Sequence, residues 1–488
     1  MENAKLLDQR VKEENELTAN VENTTLNHEY FMTEEEIHGY PTLDKILNEI
    51  GYTKYHIMLI FGVCFFYFSQ GAQIYSFNLL MPIFNAVLKL SPIKHLILSS
   101  ICYFGYAIGS FFVGMLTKNF NRRIPILISL SIYSLFSILV VLYEEFYWIS
   151  LCRFIIGFCV GIISSLYLSN LSEYLPIYYR EVTIGIVLCS YILGILFYVL
   201  IFKLFMPNYQ NFTQWKIILI VISLPCLIST IYSMFIVRDS ARLLLNKDYF
   251  NDGITEIRRL TIETDFKFTI GDEENLKREV KINKLKKIDF SLIILFSDKF
   301  IRLTMVNLFL MVITSATYVS NFFSLPLILY KQQKNHSELF MEIILAQSVS
   351  IPAIILASLL ATLPSMGRKY TISTGLFICV IVAGFTSIFR SGVLVCCTLI
   401  NFFIFSSYFL SKVYIIESFP SKLRDQGMSV IFVTARIAES ISPSICEITF
   451  NWLSYGPILW IGTLCLIGTI ASFLIPFETR GQAIDSKI

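Results

Sequence analysis

Long apolar stretches, separated by short polar segments, make up most of this chain. About twelve of these stretches are roughly twenty residues or longer, so each can cross a hydrocarbon core of about 30 Å as an α-helix. Their approximate limits are 55–80, 93–117, 123–143, 147–172, 181–206, 214–237, 298–330, 338–363, 369–390, 392–416, 425–449 and 452–476. The pattern predicts an all-α membrane protein with twelve transmembrane helices.

The same polar motif ends a long apolar stretch twice. Glu173 opens the motif E-x-x-P-x-x-x-R that ends at Arg180, and Glu417 opens a second copy that ends at Arg424. An internal repeat of this length in an apolar chain indicates two homologous bundles. Transporters built in this way bind their substrate between the bundles, near the middle of the bilayer.

The repeat divides the chain into two six-helix bundles flanked by polar segments. We expect the bundles at 55–237 and 298–476. Residues 1–54 are predicted to form a flexible tail, 238–297 a linker with amphipathic helices, and 477–488 a second tail.

Composition agrees with a membrane protein and argues against several other classes. Of 488 residues, 55% are hydrophobic and 15% charged, and the mean hydropathy is +0.64, which is more apolar surface than a soluble domain can bury. The net charge of +3 forms no basic stripe, so no nucleic-acid partner is expected. The eleven cysteines lack metal-ligand spacing, and no nucleophile-base set or phosphate loop occurs, so we expect neither an enzyme nor a cofactor.

Lysine and arginine are concentrated in loops that lie on one side of the membrane if the stretches alternate. The positive-inside rule makes that side the cytosol, so the linker and both termini are predicted to be cytosolic. Asn211 and Asn335 begin glycosylation tripeptides on the other side, although such tripeptides also arise by chance. We expect a monomer, and we favour the plasma membrane over an internal membrane.

In its repeated motif and in three further short motifs, the chain resembles the major facilitator superfamily. Within it, the resemblance is to the sugar-porter-like group that includes organic-ion transporters and synaptic vesicle glycoprotein relatives, and it covers about 55–481. The further motifs are Arg153-x-x-x-Gly157-x-x-x-Gly161, the segment 239–242 and the segment 476–481. The resemblance implies transport by alternating access, in which one bundle rocks against the other.

The resemblance also implies that charged groups at the cytosolic ends of the helices pair when that face is closed and separate when it opens. Such pairs bias a two-state equilibrium. The alternative is that the basic residues only anchor the topology at the headgroups. The candidate gating residues are Arg122, Arg123, Glu173, Arg180, Asp239, Arg242, Arg368, Glu417, Arg424 and Glu478.

Charged residues deep in an apolar stretch are candidates for substrate contact, because they are costly to bury in a bilayer. Arg436 lies twelve residues beyond Arg424, about 18 Å along a helix, and Glu439 follows one turn later. A guanidinium suits a carboxylate, and an arginine near this place is associated with anionic substrates in the organic-ion relatives. Glu439 would equally neutralise Arg436 within the helix, and both interpretations stay open.

Polar side chains in other stretches are the second set of candidates. In stretch seven they share one predicted helix face, and others lie in stretches one, eight and ten. Each amide side chain could contact substrate or hold two helices together. These candidates are Asn307, Thr314, Tyr318, Asn321, Gln70, Gln347 and Asn401.

The sequence therefore predicts a transporter of a small organic solute, with an organic anion as the leading substrate class. Stretch one has Gln70 and Gln73 where proton-coupled relatives commonly place acids, so we expect facilitated diffusion or exchange. A neutral polar solute such as a sugar, bound by the amides, is the first alternative. A sensor on the same scaffold that transports nothing is the second.

Overall fold

The structure is a computed structural model that describes most of the chain between residues 43 and 477. It leaves out 176–179, 207–213, 247–248, 263, 265–267, 270, 275, 278–294, 298–299, 332–335, 363–365, 390–392 and 420. The two glycosylation tripeptides at Asn211 and Asn335 and the candidate gating residue Glu478 therefore lie outside the described residues.

Helices account for nearly all of the described chain, and no strand occurs among these residues. The first half contains α1 (Leu43–Ile50), α2 (Lys54–Leu88), α3 (Pro92–Asn119), α4 (Arg123–Leu139), α5 (Phe146–Tyr174), α6 (Arg180–Phe205) and α7 (Trp215–Ile236). The linker contributes α8 (Ala241–Asn246) and α9 (Phe250–Thr261). The second half contains α10 (Ile301–Lys331), α11 (His336–Ser348), α12 (Ser350–Thr362), α13 (Gly367–Phe389), α14 (Val393–Ser418), α15 (Ser421–Trp452) and α16 (Gly456–Phe473).

The predicted all-α fold with twelve spans is confirmed within the described residues. Eleven spans are long and apolar enough to cross a bilayer, and α4 is a shorter apolar helix of 17 residues. The eighth span consists of two helices, α11 and α12, that meet at Val349. Pro352 explains this break, because it has no N–H to donate to the carbonyl of Ser348 and its ring clashes with that carbonyl.

Part of the predicted flexible tail is an ordered helix. Helix α1 buries Leu43, Ile46, Leu47 and Ile50, whose spacing places them on one face. Gly51 then adopts a left-handed conformation with φ +68°, which ends the helix before α2 begins. The apolar stripe of α1 is short and lies in polar sequence, so the sequence pattern did not separate it from the tail.

The repeated glycine motif of the fourth span is a helix-packing motif. A Cβ on Gly157 would lie 2.0 Å from the carbonyl oxygen of Cys102, and one on Gly161 would lie 2.4 Å from that of Tyr106. Only glycine permits this approach of α5 to α3, since any side chain would overlap with the facing backbone.

The two halves contact each other mainly along two seams. One lies between α3 and α15, and the other lies between α6 and the broken span formed by α11 and α12. We call the membrane side on which α7 ends and α8 begins the linker face. On the opposite face, His95 of α3 lies 2.9 Å from the carboxylate of Glu447 of α15, and the hydroxyls of Ser100 and Ser444 are 3.1 Å apart. These contacts join the two halves on the opposite face.

Replacing Glu447 by glutamine should weaken the contact between the two halves on the opposite face, because a neutral amide replaces the carboxylate that is bonded to His95. A cysteine placed at Ser100 should then react about two- to fivefold faster with a maleimide, as expected for the weakening of one partly exposed polar contact. The measurement is the labelling rate in detergent, corrected for the native cysteines.

The matched control is Glu144→Gln. Glu144 pairs with Lys216 at 2.7 Å on the same face but within one half. A closing role for Glu447 would be contradicted if Glu447→Gln and Glu144→Gln raised the labelling rate equally, or if neither variant raised it.

Candidate functional site

A small cavity lies where the two halves meet. Its walls come from α2, α3 and α6 of the first half and from α10, α14 and α15 of the second half. The cavity volume of about 30 Å³ holds roughly two water molecules, which is too little for an organic solute. The lining residues are Tyr67, Gln70, Ile74, Tyr103, Tyr106, Leu188, Tyr191, Tyr318, Val319, Phe405, Tyr408, Lys412, Arg436 and Glu439.

An ion pair on α15 occupies one wall of the cavity. Arg436 Nη1 lies 2.5 Å from both carboxylate oxygens of Glu439, and Glu439 is 1% exposed. The guanidinium carbon lies 4.1 Å from the ring centroid of Tyr106 on α3, so the arginine also contacts the other half of the molecule. The predicted pairing of Arg436 with Glu439 is therefore present in this structure.

A second cation, Lys412 of α14, also lines the cavity and was missed by the sequence analysis. It is buried, and its ammonium nitrogen lies 4.2 Å from the ring centroid of Tyr408. Lys412 is close to the end of the predicted stretch 392–416, where a lysine usually reaches for the headgroups. The available signal was the spacing of four residues between Tyr408 and Lys412, which places both on one helix face.

Tyrosines form much of the remaining wall and connect the halves. Tyr318 of α10 stacks on Tyr408 with centroids 5.0 Å apart, and its hydroxyl donates to that of Tyr191 on α6 at 3.2 Å. Tyr106 shares a hydrogen bond of 2.9 Å with Ser164. The close helix approaches fix the backbones of these tyrosines, because a Cβ on Gly71 would lie 2.1 Å from the carbonyl oxygen of Tyr191.

The predicted substrate residues divide into two groups. Gln70, Tyr318, Arg436 and Glu439 line the cavity together. The other predicted residues do not line it and instead bond to neighbouring helices or to their own helix. Asn307 donates to Ser418 at 2.9 Å, Thr314 donates to the carbonyl of Leu310 at 2.9 Å, and Asn321 donates to Asn401 at 3.1 Å.

Asn401 and Gln347 belong to a polar cluster at the break in the eighth span. The side-chain amide of Asn401 donates to the carbonyl of Ala346 at 2.5 Å and lies within 3.1 Å of Ser350 Oγ. It is also 3.4 Å from Gln347 Oε1. This cluster supplies donors where the helix is interrupted, and its hydrogen bonds join α14 to α11 and α12.

Several predicted gating residues of the first half form one cluster at the linker face. Arg122 pairs with Glu173 at 2.6 Å, and Ser240 donates a hydrogen bond to the same carboxylate. The backbone N–H of Arg123 donates to Asp239 at 2.9 Å. The structure thus brings the start of α4 and the end of α5 together with the start of the linker.

For two of the remaining gating candidates, the structure gives the position and the burial of the side chain. Arg242 is half-buried on α8, and Arg368 is buried at the start of α13. The side chains of Arg180, Glu417 and Arg424 lie outside the described part of the structure.

Two helical halves that meet at a charged cavity are the architecture of a membrane transporter. Residues 60–443 match the family model of the Major Facilitator Superfamily. The chain belongs to this superfamily, and it is therefore a multi-pass membrane protein that transports small solutes rather than an enzyme.

Two of the similar proteins differ in the function that their names indicate. The synaptic vesicle 2-related protein of Xenopus laevis is 22% identical, covering 92% of this chain and 84% of the relative. The human organic cation/carnitine transporter 2 is 21% identical, covering 80% of this chain and 67% of the relative.

The similar solved structures include two of XylE, a xylose transporter. XylE bound to 6-bromo-6-deoxy-D-glucose superposes with a TM-score of 0.74 at 14% identity, covering 88% of this chain and 98% of that chain. An inward-open XylE from E. coli gives a TM-score of 0.63 at 16% identity, covering 88% and 97%. At these identities the likeness shows the fold.

Replacing Gly71 by alanine should disturb the site, because the new methyl group would overlap with the carbonyl of Tyr191. Overpacking of this kind destabilises by about 1–3 kcal/mol, so the melting temperature in detergent should fall by several degrees. Gly114→Ala is the matched control, since a Cβ there meets nothing within 4 Å. If both variants melt like the unmodified protein, the close approach of α2 to α6 is not needed.

Proposed function

We propose that this protein transports a small organic anion through the cavity between its two halves. The observation that carries the proposal is the charge balance of the cavity. Arg436 and Lys412 line it together with one carboxylate, Glu439, so the lining groups sum to one positive charge. In a site of low dielectric, an excess charge favours a ligand of the opposite sign.

Alternating access explains how a solute enters a cavity that is this small. The contacts of His95 with Glu447 and of Arg436 with Tyr106 join the halves around a nearly closed space. Separation of α3 from α15 would open a path from the opposite face, and separation on the linker face would open the other path. The cluster around Arg122, Glu173 and Asp239 would then stabilise the closed form of the linker face.

Facilitated diffusion or exchange fits the cavity better than proton coupling. Glu439 is the only carboxylate among the described cavity residues, and Arg436 already holds it. Gln70, on the wall formed by α2, cannot carry a proton in this way. A pH gradient should therefore have little effect on the rate of anion uptake.

A zwitterion is a second candidate substrate. Carnitine, for which one similar protein is named, carries both a carboxylate and a quaternary ammonium group. The rings of Tyr67 and Tyr103, which also line the cavity, offer surfaces for an ammonium group beside the two cations. A sugar is less well supported, because Asn321 and Asn401, two of the amides predicted to bind it, bond to other helices, which leaves Gln70 as the predicted amide on the cavity wall.

Uptake into proteoliposomes tests the proposal directly. We expect saturable uptake of a small carboxylate, weaker uptake of hexoses and organic cations, and no acceleration by an imposed pH gradient. Uptake of hexose or of organic cations alone would overturn the anion proposal, and absence of uptake across the panel would favour the sensor.

The charge balance also predicts how variants of the ion pair behave. Arg436→Gln should reduce carboxylate uptake at least about tenfold, because Lys412 and Glu439 then cancel and Glu439 is left without its partner. The double variant Arg436→Gln with Glu439→Gln restores the single positive charge, so its uptake should recover to within about threefold of the unmodified protein.

Correct folding is checked for each variant by size-exclusion chromatography before uptake is measured. A folded double variant that remains as inactive as Arg436→Gln would show that the arginine itself contacts the substrate. Full activity of Arg436→Gln would contradict the charge-balance argument altogether.

A further inference from the structure

We infer that Lys412, rather than Arg436, is the residue that binds the anionic group of the substrate and selects anions over other solutes. The inference rests on the proposed function and assigns its specificity to one side chain. It follows from three observations, which concern the partners of the two cations, the direction of the lysine side chain and its position in the cavity.

The two cations differ in their partners. Arg436 is held by both carboxylate oxygens of Glu439, and an entering anion would have to displace that carboxylate. Among the described residues, no carboxylate lies within ion-pair distance of Lys412. The ammonium group of Lys412 is therefore the cation of the cavity that can accept an anion without first losing a partner.

The lysine side chain points into the protein rather than towards the membrane surface. Helix α14 runs from the opposite face to the linker face, so Tyr408 lies one turn deeper than Lys412. The ammonium nitrogen is above the ring of Tyr408, at 4.2 Å from its centroid. A lysine that only anchors the helix at the headgroups would extend in the other direction.

The position of Lys412 couples binding to both halves of the molecule. The ammonium group of Lys412 lies over the ring of Tyr408. Tyr408 stacks on Tyr318, and the hydroxyl of Tyr318 bonds to that of Tyr191 in the first half. An anion on Lys412 would therefore lie beside the aromatic contacts that join the halves.

Lys412 is a buried residue whose ammonium group lies over a ring, with no carboxylate within ion-pair distance among the described residues, and a ring replaces only part of the hydration that a charged group loses. A residue with a purely structural role would not be expected to have this arrangement. A site for an anion explains it, since the ligand supplies the missing negative charge when it binds.

The test compares Lys412→Gln, Lys412→Met and Lys412→Arg in proteoliposomes. Lys412→Gln should raise KM for the carboxylate about tenfold or more while changing kcat less, because a charge-assisted contact to the substrate is lost. Lys412→Arg keeps the charge and should restore KM to within a few-fold. Lys216→Gln, which removes a lysine from a surface ion pair, is the control and should leave KM unchanged.

A stability measurement separates substrate binding from a structural role. Without solute, Lys412→Met should melt at or above the temperature of the unmodified protein, because an unfavourable buried charge is gone. A lower melting temperature, together with equal loss of uptake in Lys412→Gln and Lys412→Arg, would overturn the inference.

The outcomes distinguish this inference from the proposed function. If the unmodified protein takes up no carboxylate, the proposed function itself is wrong. If the unmodified protein takes up carboxylate and Lys412→Gln keeps its KM within about twofold, anion transport stands and Lys412 is not the selecting residue.

Discussion

The burial of three charged side chains where the two halves meet is the constraint on which the rest of the structure depends. Arg436, Glu439 and Lys412 lie in a part of the protein where lost hydration must be offset by partners. Glu439 pairs with Arg436, whereas the ammonium group of Lys412 lies over the ring of Tyr408. Under the proposed function, the excess positive charge would be balanced by an anionic substrate during each transport cycle.

The helices around this charged centre are held at distances that only small residues permit. Gly161 brings α5 against the backbone of Tyr106, and Gly71 brings α2 against the backbone of Tyr191. Both tyrosines then reach the cavity, where Tyr106 contacts Arg436 and Tyr191 contacts Tyr318 of the other half. Packing within the first half thus determines which groups the second half meets.

The sequence predicted the spans, the repeat and the depth of Arg436 because these depend on length and on periodicity along one helix. It could not predict which face of a helix meets which neighbour. The predicted stripe on α10 shows the difference, since Tyr318 lines the cavity whereas Asn321 bonds to Asn401 between helices. Lys412 was missed for a related reason, because its distance from the end of a stretch does not reveal the direction of its side chain.

The most direct test of the claim that a positively charged cavity selects anions uses three solutes of matched size and different charge. The melting temperature of the purified, unmodified protein would be measured with butanoate, butanol and butylammonium at equal concentration and ionic strength. A ligand that binds the folded state raises its melting temperature, and at equal concentration the rise is larger for the ligand of higher affinity. The account predicts a rise with butanoate alone. An equal or larger rise with butanol or butylammonium would contradict it.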